Sequence, residues 1–208
     1  MIPFPVQLST TAYDSYKELW TEFRKELKLK PHGQNPQGAL ATQLRFAQKA
    51  SLLRVNQTVD LILDHLEQGE QVAVSVQFIE SLDAIKHKLA NYRISVAEIS
   101  GRSDLFNPEQ QRLRFQTGKD KVVVFTVKEG ISLHAGEQLS IGRKATLFPR
   151  VMIIHDLRYS ALDMTQIIGR AHRDGQNANA YFLYTENTVE EKILNIMLSK
   201  MQHMTLLS

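Results

Sequence analysis

The sequence predicts an α/β fold in which a parallel sheet is flanked by helices. Three short apolar runs rich in β-branched residues have the composition of strands buried on both faces, at residues 72–76, 122–125 and 151–154. Helical patterns alternate with these runs, at residues 79–89, 108–115 and 162–168. This alternation is typical of a doubly wound sheet, in which ligands bind beyond the carboxyl ends of the strands.

Two weaker strands and a closing helix complete the predicted lobe. The strands are expected at residues 94–99 and 180–184, where apolar and β-branched residues are less continuous. Thr188 and Glu191 have the spacing of a capping box, which indicates that the last helix starts at this point.

The first third of the chain predicts helices rather than strands. Apolar residues recur at the helical period after Thr11, the predicted N-cap, and Asn56 is positioned to cap a later helix that Gly69 ends. The chain therefore divides, on this prediction, into a helical lead-in over residues 1–56 and an α/β lobe over residues 57–208.

Composition excludes several kinds of chemistry. The 208 residues include no cysteine, so disulfides, thiolate catalysis and cysteine-based zinc sites are excluded. Hydrophobic residues make up 43% of the chain, which is enough for a packed core. The first residues lack the pattern of a signal peptide, and no apolar run approaches the roughly 18 residues of a membrane helix. We therefore expect an intracellular protein, cytoplasmic or (in a eukaryote) nuclear, with no membrane partner.

The segment after the last strongly apolar strand carries the most information about function. Residues 166–176 read Gln-Ile-Ile-Gly-Arg-Ala-His-Arg-Asp-Gly-Gln, which places Arg170 and Arg173 three residues apart, on one face of a helical turn. Guanidinium groups are always charged and bind phosphate oxygens in a bidentate manner, so a pair of them suits a polyphosphate. Gln166 lies four residues before Arg170, which predicts that the two share one side of the helix, and Gly169 permits close approach of a backbone or a phosphate. Each arginine alone is also compatible with a surface salt bridge.

The spacing of the whole segment resembles motif VI of the superfamily 2 helicases, and the closest likeness is to the Swi/Snf-type translocases. The resemblance implies a RecA-like lobe, the second of two motor lobes. It implies that Arg170 and Arg173 are catalytic arginine fingers directed at ATP, with Gln166 and Gly169 beside the nucleotide.

Other segments resemble further motifs of the same family in the expected order. Residues 71–89 resemble motif IV, residues 99–103 resemble the next strand and glycine turn, and residues 124–133 resemble motif V, which contacts the nucleic-acid backbone. The resemblance implies that Gly130 and Glu129 line the ATP cleft. The residues that it directs toward nucleic acid are Ser75, Gln77, Gly101, Arg102, Thr126 and Val127.

The chain departs from the Swi/Snf pattern at two places. Lys128-Glu129 stands where that family has two glycines, and residues 134–150 form a longer link to the next strand. This longer link and the segment Gly130-Ile131-Ser132-Leu133-His134 resemble the strawberry-notch and the viral or phage helicases. Arg143 and Lys144 in this link are either part of a solvated loop or contacts to the DNA backbone.

The phosphate-binding loop of a complete motor is missing. The sequence has no Walker A motif, since Gly118-Lys119 is followed by Asp120, and no Asp-Glu-x-His or Asp-Glu-x-Asp box. No His, Asp and Glu cluster has metal-ligand spacing. We therefore expect ATP and Mg²⁺ to be bound mainly by a first RecA-like lobe, in cis or in trans, and this chain alone to hydrolyse little ATP.

Together these observations predict the second motor lobe of an ATP-dependent helicase or translocase, with DNA or RNA as partner. The net charge of +3 is compatible with nucleic acid. The alternatives are a standalone nucleic-acid-binding or adaptor module without ATPase activity, and a docking lobe whose first lobe is a separate polypeptide.

Overall fold

The computed structural model describes residues 1–29, 36–102, 107–126, 131–158, 160–171 and 178–206. These residues form a parallel sheet flanked by helices. The strands are β1 (Ile2–Val6), β2 (Gln71–Ser75), β3 (Val96–Ile99), β4 (Val122–Phe125), β5 (Arg150–Ile154) and β6 (Asn179–Thr185). The helices are α1 (Thr10–Leu29), α2 (Pro36–Leu53), α3 (Val55–Glu67), α4 (Ile79–Asn91), α5 (Pro108–Gln116), α6 (Ala161–Ile168) and α7 (Val189–Leu206).

The strand order is β1-β6-β5-β2-β4-β3, and every neighbouring pair runs parallel. This arrangement confirms the predicted α/β class and all five predicted strands. The chain moves from β2 toward β3 on one side and from β5 toward β6 on the other. The direction of winding therefore reverses between β2 and β5, where such sheets form a crevice beyond the carboxyl ends of their strands.

The central strands are buried on both faces, which explains their unbroken apolar sequence. In β4, Val123 and Phe125 belong to one apolar core, while Val122 and Val124 belong to the other. Side chains of a strand point alternately to opposite faces, so a strand covered by helices on both sides needs apolar residues at every position.

The edge strand β1 was not predicted from the sequence. It pairs with β6 and contains Pro3 and Pro5, which lack the backbone N–H that a central strand would need. An edge strand needs hydrogen bonds on one side only, so prolines are tolerated there. The first residues therefore join the sheet ahead of the lead-in helices, and the division at residue 56 stays a prediction.

Helix caps differ from the predicted ones at two positions. The hydroxyl of Ser9, rather than Thr11, accepts a hydrogen bond from the first turn of α1. A single residue, Arg54, separates the end of α2 from the start of α3 at Val55. Asn56 therefore lies inside α3 and does not cap it. Gly69 follows the end of α3 as predicted, with a φ of +80° that favours glycine.

Arg54, at the junction of α2 and α3, is buried and makes two ion pairs. Its Nη2 donates to Asp156 Oδ1 at 2.8 Å, its Nη1 donates to Glu190, and its Nε donates to the carbonyl oxygen of His155 at 2.7 Å. Burial alone would lower the pKa of Arg54, but the carboxylates of Glu190 and Asp156 raise it above the ordinary value. The guanidinium therefore stays protonated, and the two carboxylates balance its charge.

The two carboxylates of this network also anchor backbone at the edge of the sheet. Asp156 Oδ2 accepts from the N–H of Gln77 at 2.7 Å, just beyond β2. Glu190 Oε2 accepts from the N–H of Thr185 at 2.8 Å, at the end of β6. Arg54 thus ties the lead-in helices to the segments after β2 and β5 and to the start of α7.

His155 lies fully buried beside this network. Its Nδ1 is 2.7 Å from Thr58 Oγ1 and its Nε2 is 3.0 Å from Ser51 Oγ, so both ring nitrogens have a hydroxyl partner. Burial lowers the pKa of His155 to about 4. The ring is therefore neutral at pH 7, and its contacts are those of a structural residue rather than of a base or a metal ligand.

The link between β4 and β5 is held by a second buried polar network. Arg150, the first residue of β5, donates to the side-chain oxygen of Gln116 at the end of α5. Thr146 in the link donates to Gln71 Oε1 at 2.6 Å. Because Gln71 and Arg150 begin their strands, this network packs the end of the link against the amino edge of the sheet, opposite the crevice.

Replacing Arg54 with Met removes both ion pairs and leaves the carboxylates of Asp156 and Glu190 buried without a counter-charge. Breaking a buried pair in this way costs about 3–5 kcal/mol, and we expect a loss of that size in the free energy of unfolding, measured by urea denaturation. The control Arg45→Met breaks an exposed 2.8 Å pair with Glu26 and should cost no more than about 1 kcal/mol. Equal losses in the two variants would contradict the role given to Arg54.

The pH dependence of stability should report the buried state of His155. Since the pKa falls from 6.5 to about 4 on folding, the unfolded chain binds an extra proton between these pH values. The free energy of unfolding therefore decreases as pH falls through this window, by about 3 kcal/mol from this group. His155→Gln should flatten the decrease by that amount, whereas His203→Gln, at an exposed position on α7, should not. An unchanged slope in His155→Gln would refute the assignment.

Candidate functional site

A cavity of about 420 Å³ lies beyond the carboxyl edge of the sheet, at the crevice between β2 and β5. Its polar wall comes from the segments that follow three strands: Gln77 after β2, Thr126 after β4, and Asp156 and Arg158 after β5. Its apolar wall comes from α1, α2 and α7. The position is the one where doubly wound sheets bind ligands, and the lining combines apolar surface with a few polar groups, as ligand sites do.

The apolar wall is built around an aromatic cluster from the lead-in. The ring centroids of Trp20 and Phe23 are 5.3 Å apart, and those of Phe23 and Phe46 are 4.9 Å apart. All three side chains are half-buried and line the cavity. The structure thus places Trp20 and Phe23 in contact with each other at the cavity surface.

Arg170 lies in the turn that follows α6 and is only 5% exposed. Its guanidinium carbon lies 5.2 Å from the centre of the Phe125 ring, and its Nη1 is buried without a hydrogen-bond partner among the described residues. Burial lowers the pKa of Arg170 to about 10, and the positive charge of Arg158 contributes to the shift. The group still carries its charge at neutral pH, so a buried cation is present that no carboxylate of the described residues neutralises.

The other predicted ATP-site residues are placed differently. Helix α6 ends at Ile168, and Gln166 is exposed while Arg170 is buried, so these two side chains do not share one face. Gly169 is the C-cap, and a Cβ there would lie 3.3 Å from the carbonyl oxygen of Thr165. The remaining predicted residues, Arg173, Gly130 and Glu129, lie outside the described residues.

Arg158 is a site residue that the motif comparison did not identify. It lies four residues after the end of β5, its Nη2 donates to the carbonyl oxygen of Val76 at 3.4 Å, and its Nε is buried without a partner in the described part of the chain. Burial lowers its pKa below the ordinary value. An arginine just past the carboxyl end of a buried strand was the one available signal in the sequence.

The predicted nucleic-acid contacts near the carboxyl edge differ in accessibility. Ser75 is buried inside β2, where its side chain is 1% exposed, whereas Gln77 is exposed and Thr126 is half-buried at the cavity. Gly101 is exposed, with open space where a Cβ would stand. Val127 lies outside the described residues.

Arg102 is occupied by carboxylates. Its Nη2 lies 2.7 Å from both Asp83 Oδ1 and Glu98 Oε1, and these hydrogen bonds raise its pKa. A contact from Arg102 to a phosphate would have to replace these partners. The role of Arg102 in binding nucleic acid therefore stays a prediction, and Asp83 and Glu98 would compete with a phosphate for its guanidinium.

Arg143 and Lys144 lie on an exposed turn of the link between β4 and β5. The N–H of Leu139 donates to the carbonyl oxygen of Arg143 at 2.8 Å, and Lys144 pairs with Gln138 in an antiparallel bridge. Both side chains are exposed and form no ion pair with the described residues. Their charges face solvent.

Among the described residues, no group of three or more His, Asp or Glu side chains is arranged to hold a metal ion. No described helix combines the length and the apolar composition needed to cross a bilayer.

Comparison with known proteins gives one consistent picture. No family model matches the chain. Its sequence is 25% identical, over 95% of its length, to the uncharacterized ATP-dependent helicase MG018 of Mycoplasma genitalium, and it spans 20% of that relative. The SWI2/SNF2 ATPase core domain of Sulfolobus solfataricus superimposes with a TM-score of 0.70 at 18% identity, over 96% of this chain and 42% of that one.

This chain covers a larger share of the C-terminal domain of that protein than of the whole core. The C-terminal domain of the Sulfolobus solfataricus SWI2/SNF2 ATPase superimposes with a TM-score of 0.64 at 18% identity, over 96% of this chain and 86% of that domain. The predicted resemblance to the C-terminal RecA-like lobe of the SWI2/SNF2-type helicases is therefore confirmed, and the chain has the fold of that lobe.

Proposed function

We propose that this chain is the second motor lobe of an ATP-dependent helicase or translocase, which supplies Arg170 and Arg173 to ATP and contacts the backbone of a nucleic acid. One observation carries the proposal. Arg170 is buried at the carboxyl edge of the sheet, it is charged at neutral pH, and no described carboxylate neutralises it. An uncompensated buried charge is costly to the folded chain, and a bound anion would remove that cost.

Arg170 is suited to stabilise charge on a phosphoryl group. ATP with Mg²⁺, bound mainly by a first lobe, would supply the phosphoryl group that is transferred to water. The guanidinium of Arg170 would donate hydrogen bonds to the phosphate oxygens as their negative charge develops, which is the role of an arginine finger. Burial makes this effect stronger, because electrostatic attraction increases where water is excluded.

Residues at the same edge are suited to hold a nucleic-acid strand. Gln77 and Gly101 are exposed, Thr126 is half-buried, and each follows a parallel strand at its carboxyl end. Amide, hydroxyl and backbone donors of this kind position a phosphate backbone without reading its sequence. Arg143 and Lys144, exposed on the link, would add contacts that weaken with salt.

The comparisons support the two-lobe account. The relative from Mycoplasma genitalium is named an ATP-dependent helicase and is about five times longer, since this chain spans 20% of it. The first RecA-like lobe is therefore proposed as the partner, in cis or in trans. A pure nucleic-acid-binding module has no need of the motif VI arginine pair, so the presence of both Arg170 and Arg173 favours the motor over that alternative.

The direct test is ATP turnover by the enzyme that contains both lobes. Arg170→Gln should lower the DNA-stimulated kcat by about a thousandfold or more, because an arginine finger raises kcat by a factor of about 10³–10⁵. The control Arg45→Gln, on the exposed face of the lead-in, should leave turnover unchanged. The 208-residue chain alone should hydrolyse little ATP. Wild-type turnover by Arg170→Gln, or arginine-dependent turnover by this chain alone, would refute the proposal.

A further inference from the structure

Arg158 and Arg170 come from different segments and contact neighbouring residues at the carboxyl edge of the sheet. Arg158 donates through Nη2 to the carbonyl oxygen of Val76, the residue after β2. Arg170 lies over the ring of Phe125, the last residue of β4. The N–H of Val76 donates to the carbonyl oxygen of Phe125 at 3.0 Å. Two guanidinium groups are therefore anchored to residues that are themselves hydrogen-bonded across neighbouring strands.

Neither guanidinium is neutralised within the chain segments that the structure describes. Nε of Arg158 and Nη1 of Arg170 are both buried and have no hydrogen-bond partner there. Neither group has a carboxylate within the 4.0 Å of an ion pair in those segments. Burial and, to a smaller extent, the positive charge of Arg158 together lower the pKa of Arg170 to about 10, so the two cations are close enough to repel each other.

The carboxylates near Arg158 do not remove this repulsion. Asp156 is already held by Arg54 through Oδ1 and by the N–H of Gln77 through Oδ2. Asp163 raises the pKa of Arg158 from a distance, but burial outweighs it and the pKa stays below its ordinary value. The pair therefore retains a net positive charge that no described carboxylate neutralises.

We propose that Arg158 and Arg170 form a binding site for one phosphate group, in which Arg158 faces the cavity and Arg170 lies deeper. The proposal rests on the function proposed for Arg170 and adds a second residue and a ligand class. Two planar guanidinium groups can donate several parallel hydrogen bonds to one phosphate. A bound phosphate would fill the unused donors and convert the repulsion between the arginines into attraction for a shared anion.

The phosphate could come from a polyphosphate or from a nucleic-acid backbone, and two probes separate these sources. Inorganic tripolyphosphate represents the phosphate chain of ATP without a base or a sugar. A short single-stranded oligothymidylate represents the backbone, and its binding should depend strongly on salt. The probe whose affinity falls in the variants, while the affinity of the other probe is unchanged, identifies the source of the phosphate.

The experiment is calorimetric titration of each probe into the 208-residue chain and its variants. Arg158→Gln and Arg170→Gln should each weaken binding of the same probe by at least about tenfold, equal to about 1.4 kcal/mol. The double variant should bind about as weakly as the weaker single variant, because the free-energy effects of two residues that share one ligand do not add. The control Arg45→Gln should bind as the wild type does.

A second variant and a second readout separate binding from a structural role. Arg158→Lys keeps the charge but loses the planar fork, so it should bind with intermediate affinity. Without a probe, Arg158→Gln should keep the wild-type Tm within about 2 °C or raise it, because it removes repulsion. If Arg158 had a structural role instead, Arg158→Gln would lower the Tm.

The outcomes also distinguish this inference from the proposed function. If Arg158→Gln and Arg158→Lys both bind the two probes as tightly as the wild type, the paired site is overturned. Loss of binding in Arg170→Gln alone would leave the proposed arginine finger intact while refuting the role of Arg158. The turnover of Arg170→Gln in the two-lobe enzyme tests the function separately.

Discussion

Arg54 occupies the junction between two helices of the lead-in, and its pairing with Asp156 and Glu190 sets the geometry of the sheet edge. The same carboxylates accept backbone N–H groups from the ends of β2 and β6. One buried cation thereby joins the lead-in, two strand ends and the start of α7. Because the partners lie about a hundred residues or more apart in the chain, the network forms only when the whole lobe has folded.

The arginines at this edge of the sheet, Arg54, Arg158 and Arg170, are of two kinds, and their surroundings explain the difference. Arg54 has two carboxylate partners, and its pKa lies above the ordinary value. Arg158 and Arg170 have none among the described residues, and burial lowers the pKa of both. A satisfied pair supports the fold, whereas unsatisfied cations in a crevice are an arrangement that a bound anion completes. The lobe thus carries both kinds within one crevice.

The lead-in contributes to this crevice as well as to the fold. Its aromatic cluster of Trp20, Phe23 and Phe46 forms the apolar wall of the cavity, opposite the polar segments that follow the strands. The strand β1 precedes these helices and pairs with the edge of the sheet. The first part of the chain is therefore packed into the lobe at both ends, and its helices help to shape the candidate site.

The sequence by itself determined the α/β class and the five main strands, because strands buried on both faces leave unbroken apolar runs. The resemblance to the SWI2/SNF2-type lobe also came from the sequence, through arginine and glycine residues at set spacings. It missed β1, whose prolines are tolerated only because the strand lies at an edge. It also missed Arg158, and it grouped Gln166 with Arg170, although the helix ends between them. Pairing, burial and charge neutralisation depend on residues far apart in the chain, so only the tertiary structure decided which arginines have carboxylate partners and which have none among the described residues.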